Sequence, residues 1–333
     1  MNPENIGQKI VQNQNQGRPI CNLNHIRFIV AALSLVGWLQ GCGRSVDQAS
    51  NEVKLDTNGK ALIMTVNAPL KYMAERIADH SWANTIFPAD SSVVDPVFWD
   101  PSPDIIRRYQ EADLILLNGA GYARWILTAS LKVSSLHDTA ATFNAPFIKL
   151  EDAIIHQHGP EGEHSHEGFA TTTWLDFELA AQHANSIFLA MKKRWPEHTD
   201  SMQNNHALLQ KDLKELHDAM LEIKKQIGNI PLLASHPVYQ YATRAYNLNI
   251  HSLHWEPDAT PDANEWQTFD MFLSNNPTKW MIWEDTPTKE TQAKLSQRNI
   301  EWIVFRPQGG AIKNDDFLSI MRANIEALKS IKP

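Results

Sequence analysis

Cysteine is scarce in this sequence, which contains only Cys21 and Cys42 among its 333 residues. So few cysteines exclude a disulfide framework and a metal site built from several thiolates. Any metal site must therefore be built from imidazole and carboxylate groups, and the chain contains 14 histidines.

Positive charge is also in deficit, with 30 lysines and arginines against 38 aspartates and glutamates and a formal net charge of −8. Binding to nucleic acid needs clustered basic residues, so we expect no nucleic-acid partner. The sequence contains no HExxH pair, no GxSxG motif and no compact acid–base constellation. We therefore predict a binding protein and not an enzyme such as a zinc hydrolase.

The apolar run at residues 28–39 is too short to cross a membrane. It has twelve residues, whereas a membrane-spanning helix needs about 20. Arg18 and Arg27 precede this run, and the sequence LQGC follows it and ends at Cys42. Basic residues before a short apolar core are typical of a signal peptide, and LQGC resembles the lipobox of bacterial lipoproteins.

The lipobox resemblance implies that Cys42 is lipidated and becomes the first residue of the mature chain. We then expect a signal peptide at 1–41, a polar lipid-anchored tether at 42–58, and an extracytoplasmic protein held at a membrane. The removed segment carries three basic residues and one acidic residue, so the net charge moves from −8 to −10. The alternative is an ordinary signal peptide followed by a chance cysteine.

Short apolar segments alternate with amphipathic segments from residue 60 to the end of the chain. This alternation predicts α/β architecture with mainly parallel sheets flanked by helices. The predicted strands are 61–69, 92–94, 113–118, 230–234, 249–253, 280–283 and 302–305. The predicted helices are 70–80, 103–111, 122–131, 176–194, 238–246, 262–275, 288–297 and 314–330.

A long helix is predicted at 199–227, where one apolar stripe continues at intervals of three and four residues. Its length of about 43 Å exceeds the width of one lobe, and Gly228 suits its C-terminal end. We therefore predict an N-terminal lobe at 59–197, a rigid linking helix at 198–228 and a C-terminal lobe at 229–333. Ligands of such proteins bind in the cleft, at the carboxyl ends of the strands.

Four segments share the order and spacing of known signature motifs. Residues 95–103 read DPVFWDPSP and precede an amphipathic segment that ends in EADLILLNG; WLD follows at 174–176, SHPVYQY at 235–241 and IWE at 282–284. Together they resemble the metal-binding solute-binding proteins of ABC transporters, the zinc and manganese receptors similar to ZnuA. The resemblance covers residues 60–330 and implies two α/β lobes bridged by a rigid helix.

Two positions depart from the family pattern. Val97 and Thr172 stand where the resemblance implies metal-binding histidines, and only His236 and Glu284 match the usual ligands of the cleft. Two ligands do not hold zinc firmly, because tight sites use four protein ligands, or three and a water molecule. The resemblance thus supports the fold more strongly than the usual ligand set.

Four further histidines lie in a predicted loop at 151–173, which is rich in His, Gly, Glu and Thr. They are His156, His158, His164 and His166. Many zinc receptors carry such a loop near the cleft, and neutral imidazole is the commonest metal ligand. We expect these histidines to contact metal with modest affinity, since a flexible loop must be ordered on binding. The alternative is a solvated loop without ligands.

Other residues at motif positions or strand ends are expected to line the cleft. They are Val97, Trp99, Thr172, Trp174, Trp283 and Asp285. Core packing is the competing interpretation for the tryptophans, Trp255 among them. We assign His251 and His254 to packing or to the surface.

These patterns predict a metal receptor that binds a divalent cation, zinc first and manganese next. We expect it to deliver the ion to an ABC permease as a monomer and to use no organic cofactor. The alternative is a divergent protein of the same fold that binds a chelated metal or a small organic ligand.

Overall fold

The computed structural model describes residues 59–89, 97–150, 154–157, 163–166, 168–311 and 315–332. In 154–157 and 163–166 it describes the backbone alone. The predicted signal peptide 1–41, Cys42 with the tether 42–58, the predicted strand 92–94 and His158 lie outside the described residues. Within those described ranges, no helix is both long and apolar enough to cross a bilayer.

The N-terminal lobe is built on a four-stranded parallel sheet. Its strands are β1 (Ala61–Thr65), β2 (Ala83–Ile86), β3 (Leu114–Leu117) and β4 (Leu136–Asp138), in the order β2-β1-β3-β4. The flanking helices are α1 (Ala68–Ile77), α2 (Pro103–Glu111) and α3 (Phe177–Arg194). Strands β1 and β3 are almost fully buried, as expected for a parallel sheet covered on both faces.

The helix predicted at 122–131 is wrong, because a short 3-10 turn at Arg124–Leu127 stands in its place. Gly119, Ala120, Gly121 and Ala123 all have positive φ angles. Of these four, only Ala123 lies within the predicted range, and its left-handed backbone is incompatible with a right-handed α-helix.

The C-terminal lobe repeats the architecture of the first. Its strands are β7 (Pro231–Ala234), β8 (Asn249–Ser252), β9 (Trp280–Trp283) and β10 (Glu301–Val304), all parallel and in the order β10-β9-β7-β8. The helices are α5 (Gln240–Tyr246), α6 (Ala263–Asn275), α7 (Lys289–Gln297) and α8 (Phe317–Leu328). Because the strands are parallel, their carboxyl ends meet at one edge of the sheet.

The long helix α4 (Thr199–Ile227) has 29 residues and packs against helices of both lobes. It contacts α1 and α3 of the N-terminal lobe and α5 and α8 of the C-terminal lobe. The predicted apolar stripe is buried along its whole length, and Gly228, with a φ of 62°, follows the last helical residue. The α/β fold with two sheets and one long connecting helix is confirmed.

The segment predicted as a loop at 151–173 contains a two-stranded antiparallel ribbon. Strand β5 (Ile154–Gln157) pairs with β6 (Glu163–His166), with His156 opposite His164 and Ile154 opposite His166. An isolated bridge between Lys149 and Phe169 joins the two ends of the segment. Three of the four predicted loop histidines are therefore placed on this ribbon.

Candidate metal site

Three strand ends of the C-terminal lobe bring histidine and carboxylate groups together. His236 follows β7 and Glu284 follows β9, while His254 and Glu256 follow β8. Backbone hydrogen bonds fix this edge: the Ser235 N–H donates to the carbonyl oxygen of Ile282 at 2.8 Å, and the Trp255 N–H donates to that of Ser235 at 2.7 Å. Side chains distant in sequence therefore meet at one edge of the sheet.

His236 is the centre of this group. Its Nδ1 atom lies 3.5 Å from Glu256 Oε1 and 3.9 Å from Glu284 Oε1. The rings of His236 and His254 have centres 5.9 Å apart and planes 85° apart. The three side chains of His236, Glu256 and Glu284 retain 16%, 31% and 25% of their exposure, so they lie in a partly enclosed but accessible recess.

An aromatic cluster forms the base beneath these residues. Trp255, Trp266, Phe269 and Trp283 are all buried, and the ring centres of Trp255 and Trp283 lie 6.2 Å apart. Trp283 has no exposed surface, so the expectation that it lines the cleft is corrected: the indole belongs to the core. The reason is the burial of β9 on both faces in the middle of the sheet.

Asp285 takes part in a surface ion pair. The Arg306 guanidinium donates to Asp285 Oδ1 at 2.7 Å, and both side chains are about half exposed. The carboxylate also accepts from the Thr286 N–H. Asp285 is therefore next to Glu284 in the sequence, and its carboxylate is paired with the segment after β10.

The N-terminal lobe contributes no imidazole at the two positions where the sequence departs from the family pattern. Val97 is partly buried against the hydrophobic core. The Thr172 hydroxyl donates to the carbonyl oxygen of Val238 at 2.5 Å, so it joins the two lobes. Trp99 packs edge-on against Phe87 and Trp125. The side chains at these positions form hydrophobic contacts and a hydrogen bond between the lobes.

Trp174 also joins the lobes. Its side chain is buried, and its Nε1–H donates to the carbonyl oxygen of Pro307 at 2.7 Å. Gly309 packs so closely that an added Cβ would lie 3.4 Å from the Trp174 ring and 3.3 Å from Tyr122 Oη. The Ala68 N–H donates to the carbonyl oxygen of Gly309 at 3.1 Å. The segment after β10 is thereby held against the N-terminal lobe.

His183 is a fully buried residue of α3 that holds the turn before Trp174 in place. Its Nδ1 lies 2.7 Å from Thr139 Oγ1 and its Nε2 lies 2.8 Å from Thr173 Oγ1. The Thr139 hydroxyl donates to the carbonyl oxygen of Leu117, so it accepts from Nδ1–H, and Nε2 accepts from the Thr173 hydroxyl. The neutral ring satisfies this network, and burial lowers the pKa of His183 to about 3.

We expect this buried histidine to make the protein sensitive to acid. In the unfolded chain, His183 binds a proton as the pH falls below its ordinary pKa of about 6.5. In the folded chain it does so only near its lowered pKa of about 3. Stability is therefore lost as the pH falls from about 6.5 toward 3, by at most about 1.4 kcal/mol per pH unit. Urea unfolding of the wild type and of His183→Gln, at pH 7 and pH 5, measures this difference.

The wild type should lose roughly 2 kcal/mol more than the His183→Gln variant between the two pH values. Glutamine keeps hydrogen-bonding atoms but has no titration in this range, so it serves as the matched control. An identical pH dependence in the two proteins would show that His183 does not titrate differently on unfolding.

Within the part of the chain that the structure describes, no group of three or more His, Cys, Asp or Glu side chains stands ready to hold a metal ion. The structure brings the predicted residues His236 and Glu284 together and adds Glu256 and His254, which sequence reasoning did not select. The signal available for these two was their position directly after a strand. His156, His164 and His166 lie on the separate ribbon of β5 and β6.

The chain has two parallel sheets flanked by helices, one helix that packs against both lobes, and polar residues gathered at strand ends. These features define a two-lobed solute-binding protein. The sequence model of the ZnuA family, described as zinc-uptake complex component A periplasmic, matches residues 63–331. The chain therefore belongs to this family.

Relatives with named functions are similar over most of the chain. The high-affinity zinc uptake system protein ZnuA of Bacillus subtilis is 23% identical over 320 residues, which are 91% of this chain and 95% of that protein. The zinc-binding lipoprotein AdcA of Streptococcus pneumoniae is 23% identical over 86% of this chain and 58% of its own length. The manganese ABC transporter substrate-binding lipoprotein PsaA of the same species is 25% identical over 69% of this chain and 72% of its own length.

Solved structures share the fold. The Zn(II)-bound ZnuA-like domain of Streptococcus pneumoniae AdcA superposes with a TM-score of 0.68 at 18% identity and covers 81% of this chain and 98% of that domain. A crystal structure of ZnuA has a TM-score of 0.63 at 19% identity, over 80% of this chain and 97% of the other.

Proposed function

We propose that this protein is the extracytoplasmic solute-binding component of a metal ABC transporter. It captures a divalent cation, zinc most readily and manganese next, and delivers the ion to a membrane permease. The observation that carries the proposal is the meeting of His236 with two carboxylates, those of Glu256 and Glu284, at adjacent strand ends. Imidazole and carboxylate are the ligands that remain for a metal in a chain with so little cysteine.

The two-lobed fold supports this role, since ligands of such α/β proteins bind at the carboxyl ends of the strands. Membership of a zinc-uptake family supports transport rather than catalysis, and we propose that the chain is not an enzyme. The LQGC sequence supports lipidation at Cys42, which would hold the receptor beside its permease. We further propose that it acts as a monomer.

The ribbon of β5 and β6 supports an accessory role for its histidines. His156 is paired with His164, and His166 lies two residues further along the same strand as His164, so the ribbon brings the three positions close together. We propose that they gather metal near the main site with modest affinity.

Equilibrium dialysis followed by elemental analysis tests the proposed function. We expect about one tightly bound zinc ion per chain near neutral pH, because His236, Glu256 and Glu284 form one group of candidate ligands among the described residues. A variant with His156, His158, His164 and His166 all changed to Asn should keep this ion and lose only weaker, additional ions.

Absence of any bound zinc or manganese from the wild type would overturn the proposal. Thermal melting in the presence of small organic ligands then becomes the informative measurement, because a ligand that binds the folded state raises its stability. A metal-indifferent protein that is stabilised by such a ligand would establish the alternative function, which the residues Val97 and Thr172 motivate.

A further inference from the structure

We propose that His254 and Glu256 join His236 and Glu284 as ligands of the metal site. This inference rests on the proposed function and specifies its site. The two additional residues compensate for Val97, which has no ligand atom, and for Thr172, whose hydroxyl is engaged with the carbonyl oxygen of Val238.

The first argument is the order of the strands. Strand β7 lies between β9 and β8 in the sheet, so the residues that follow these three parallel strands meet at one edge. The central strand supplies His236, one neighbour supplies Glu284, and the other supplies His254 and Glu256. Every member of the group therefore lies within a few residues of a strand end, and the hydrogen-bonded sheet fixes where these short segments begin.

The second argument is the spacing of the ligand atoms. Two atoms bound to zinc at about 2.0–2.1 Å in a tetrahedral arrangement lie about 3.3 Å from each other. Glu256 Oε1 is 3.5 Å from His236 Nδ1, and Glu284 Oε1 is 3.9 Å from it. Relative to His236 Nδ1, Glu256 Oε1 lies about 0.2 Å beyond this spacing and Glu284 Oε1 about 0.6 Å beyond it, so Glu256 is the nearer of the two.

The third argument places His254 beside the same ion. Two imidazoles that share a tetrahedral zinc ion have ring centres about 5 Å apart, and those of His236 and His254 are 5.9 Å apart. The intervening Trp255 is buried in the aromatic cluster, which fixes the backbone between the two additional ligands. His254 itself is exposed and can close on an ion without disturbing the core.

The charges of the group also suit a divalent cation. Two carboxylates beside neutral imidazoles form a site with two nitrogen and two oxygen ligands, and a doubly charged ion neutralises both carboxylates. Nitrogen and carboxylate ligands in a four-coordinate arrangement are typical of zinc.

Competition titration of the purified protein with zinc and a chromophoric chelator tests this site. We expect His254→Gln and Glu256→Gln each to lower zinc affinity at least tenfold. The matched controls are His251→Gln, within β8, and Glu301→Gln, at the amino end of β10. The proposed ligands lie at the carboxyl ends of the strands. Both control side chains are exposed, and their substitution should change the affinity less than twofold.

X-ray absorption spectroscopy of the zinc-loaded protein gives a second, independent measurement. We expect two imidazole ligands in the wild type and one in His254→Gln, which a merely structural effect would not produce. If zinc binds but neither His254→Gln nor Glu256→Gln changes its affinity or its ligands, the four-ligand site is wrong and the proposed function stands. If the wild type binds no zinc, the proposed function itself fails.

Discussion

Replacement of His236 by alanine is expected to lower zinc affinity by roughly 100-fold or more, since loss of a partner that merely orients a metal ligand already costs about 10- to 100-fold. His236 is the residue that both carboxylates approach, at 3.5 Å and 3.9 Å, and its ring lies edge-on to that of His254. Removal of the imidazole therefore deletes a ligand and separates the others. Competition titration with a chromophoric chelator measures the change.

The variant should remain folded, because the imidazole lies at a partly exposed recess above the aromatic cluster. Thermal melting without metal checks this expectation, and His251→Ala is the matched control for loss of a histidine from the same lobe. An unchanged zinc affinity in His236→Ala would place the tight site elsewhere, and the ribbon histidines would be the next residues to test.

Replacement of Trp174 by alanine is expected to cost about 3–5 kcal/mol of stability, the range measured for large aromatic side chains in protein cores. The indole retains 1% of its exposure, packs against the Tyr122 ring with centres 6.0 Å apart, and donates to the carbonyl oxygen of Pro307. The substitution creates a cavity where the segment around Gly309 meets the N-terminal lobe. Urea denaturation measures the free energy of unfolding.

Trp174→Phe is the matched control, because it keeps a large ring and removes the Nε1–H donor. We expect Trp174→Phe to cost about 1–3 kcal/mol, less than Trp174→Ala. This cost comes from the unsatisfied Pro307 carbonyl group and the reduced packing. A cost below about 1 kcal/mol for Trp174→Ala would mean that the site collapses around the smaller side chain, contrary to the close packing of Gly309.

Much of the fold could be predicted because it depends on local periodicity. The apolar stripe of α4 recurs at helical intervals, and its predicted range of 199–227 agrees with Thr199–Ile227. Strands β2 and β4 were missed because the sequences ANTI and LHD carry no apolar run. The helix predicted at 122–131 was wrong because Ala123, near its start, adopts a positive φ angle, which only the folded context requires of an alanine.

The candidate site was predicted in part. His236 and Glu284 were selected because they match the usual ligands in the family's signature motifs, and the structure places His236 Nδ1 3.9 Å from Glu284 Oε1. His254 was assigned to packing or to the surface, and Glu256 was not selected, although both also follow a strand. Trp283 was expected in the cleft but lies in the core, since an apolar residue at a strand end gives no local sign of which side it occupies.

The sequence by itself determined the chemistry available to this protein. With cysteine nearly absent and 14 histidines present, it restricts a metal site to imidazole and carboxylate ligands and predicts two α/β lobes joined by a helix. Only the tertiary structure decided which of these ligands meet, because the order β9-β7-β8 depends on how distant segments cross over to pair. It also decided that Thr172 joins the lobes, since the Val238 carbonyl group that accepts its hydrogen bond lies 66 residues away.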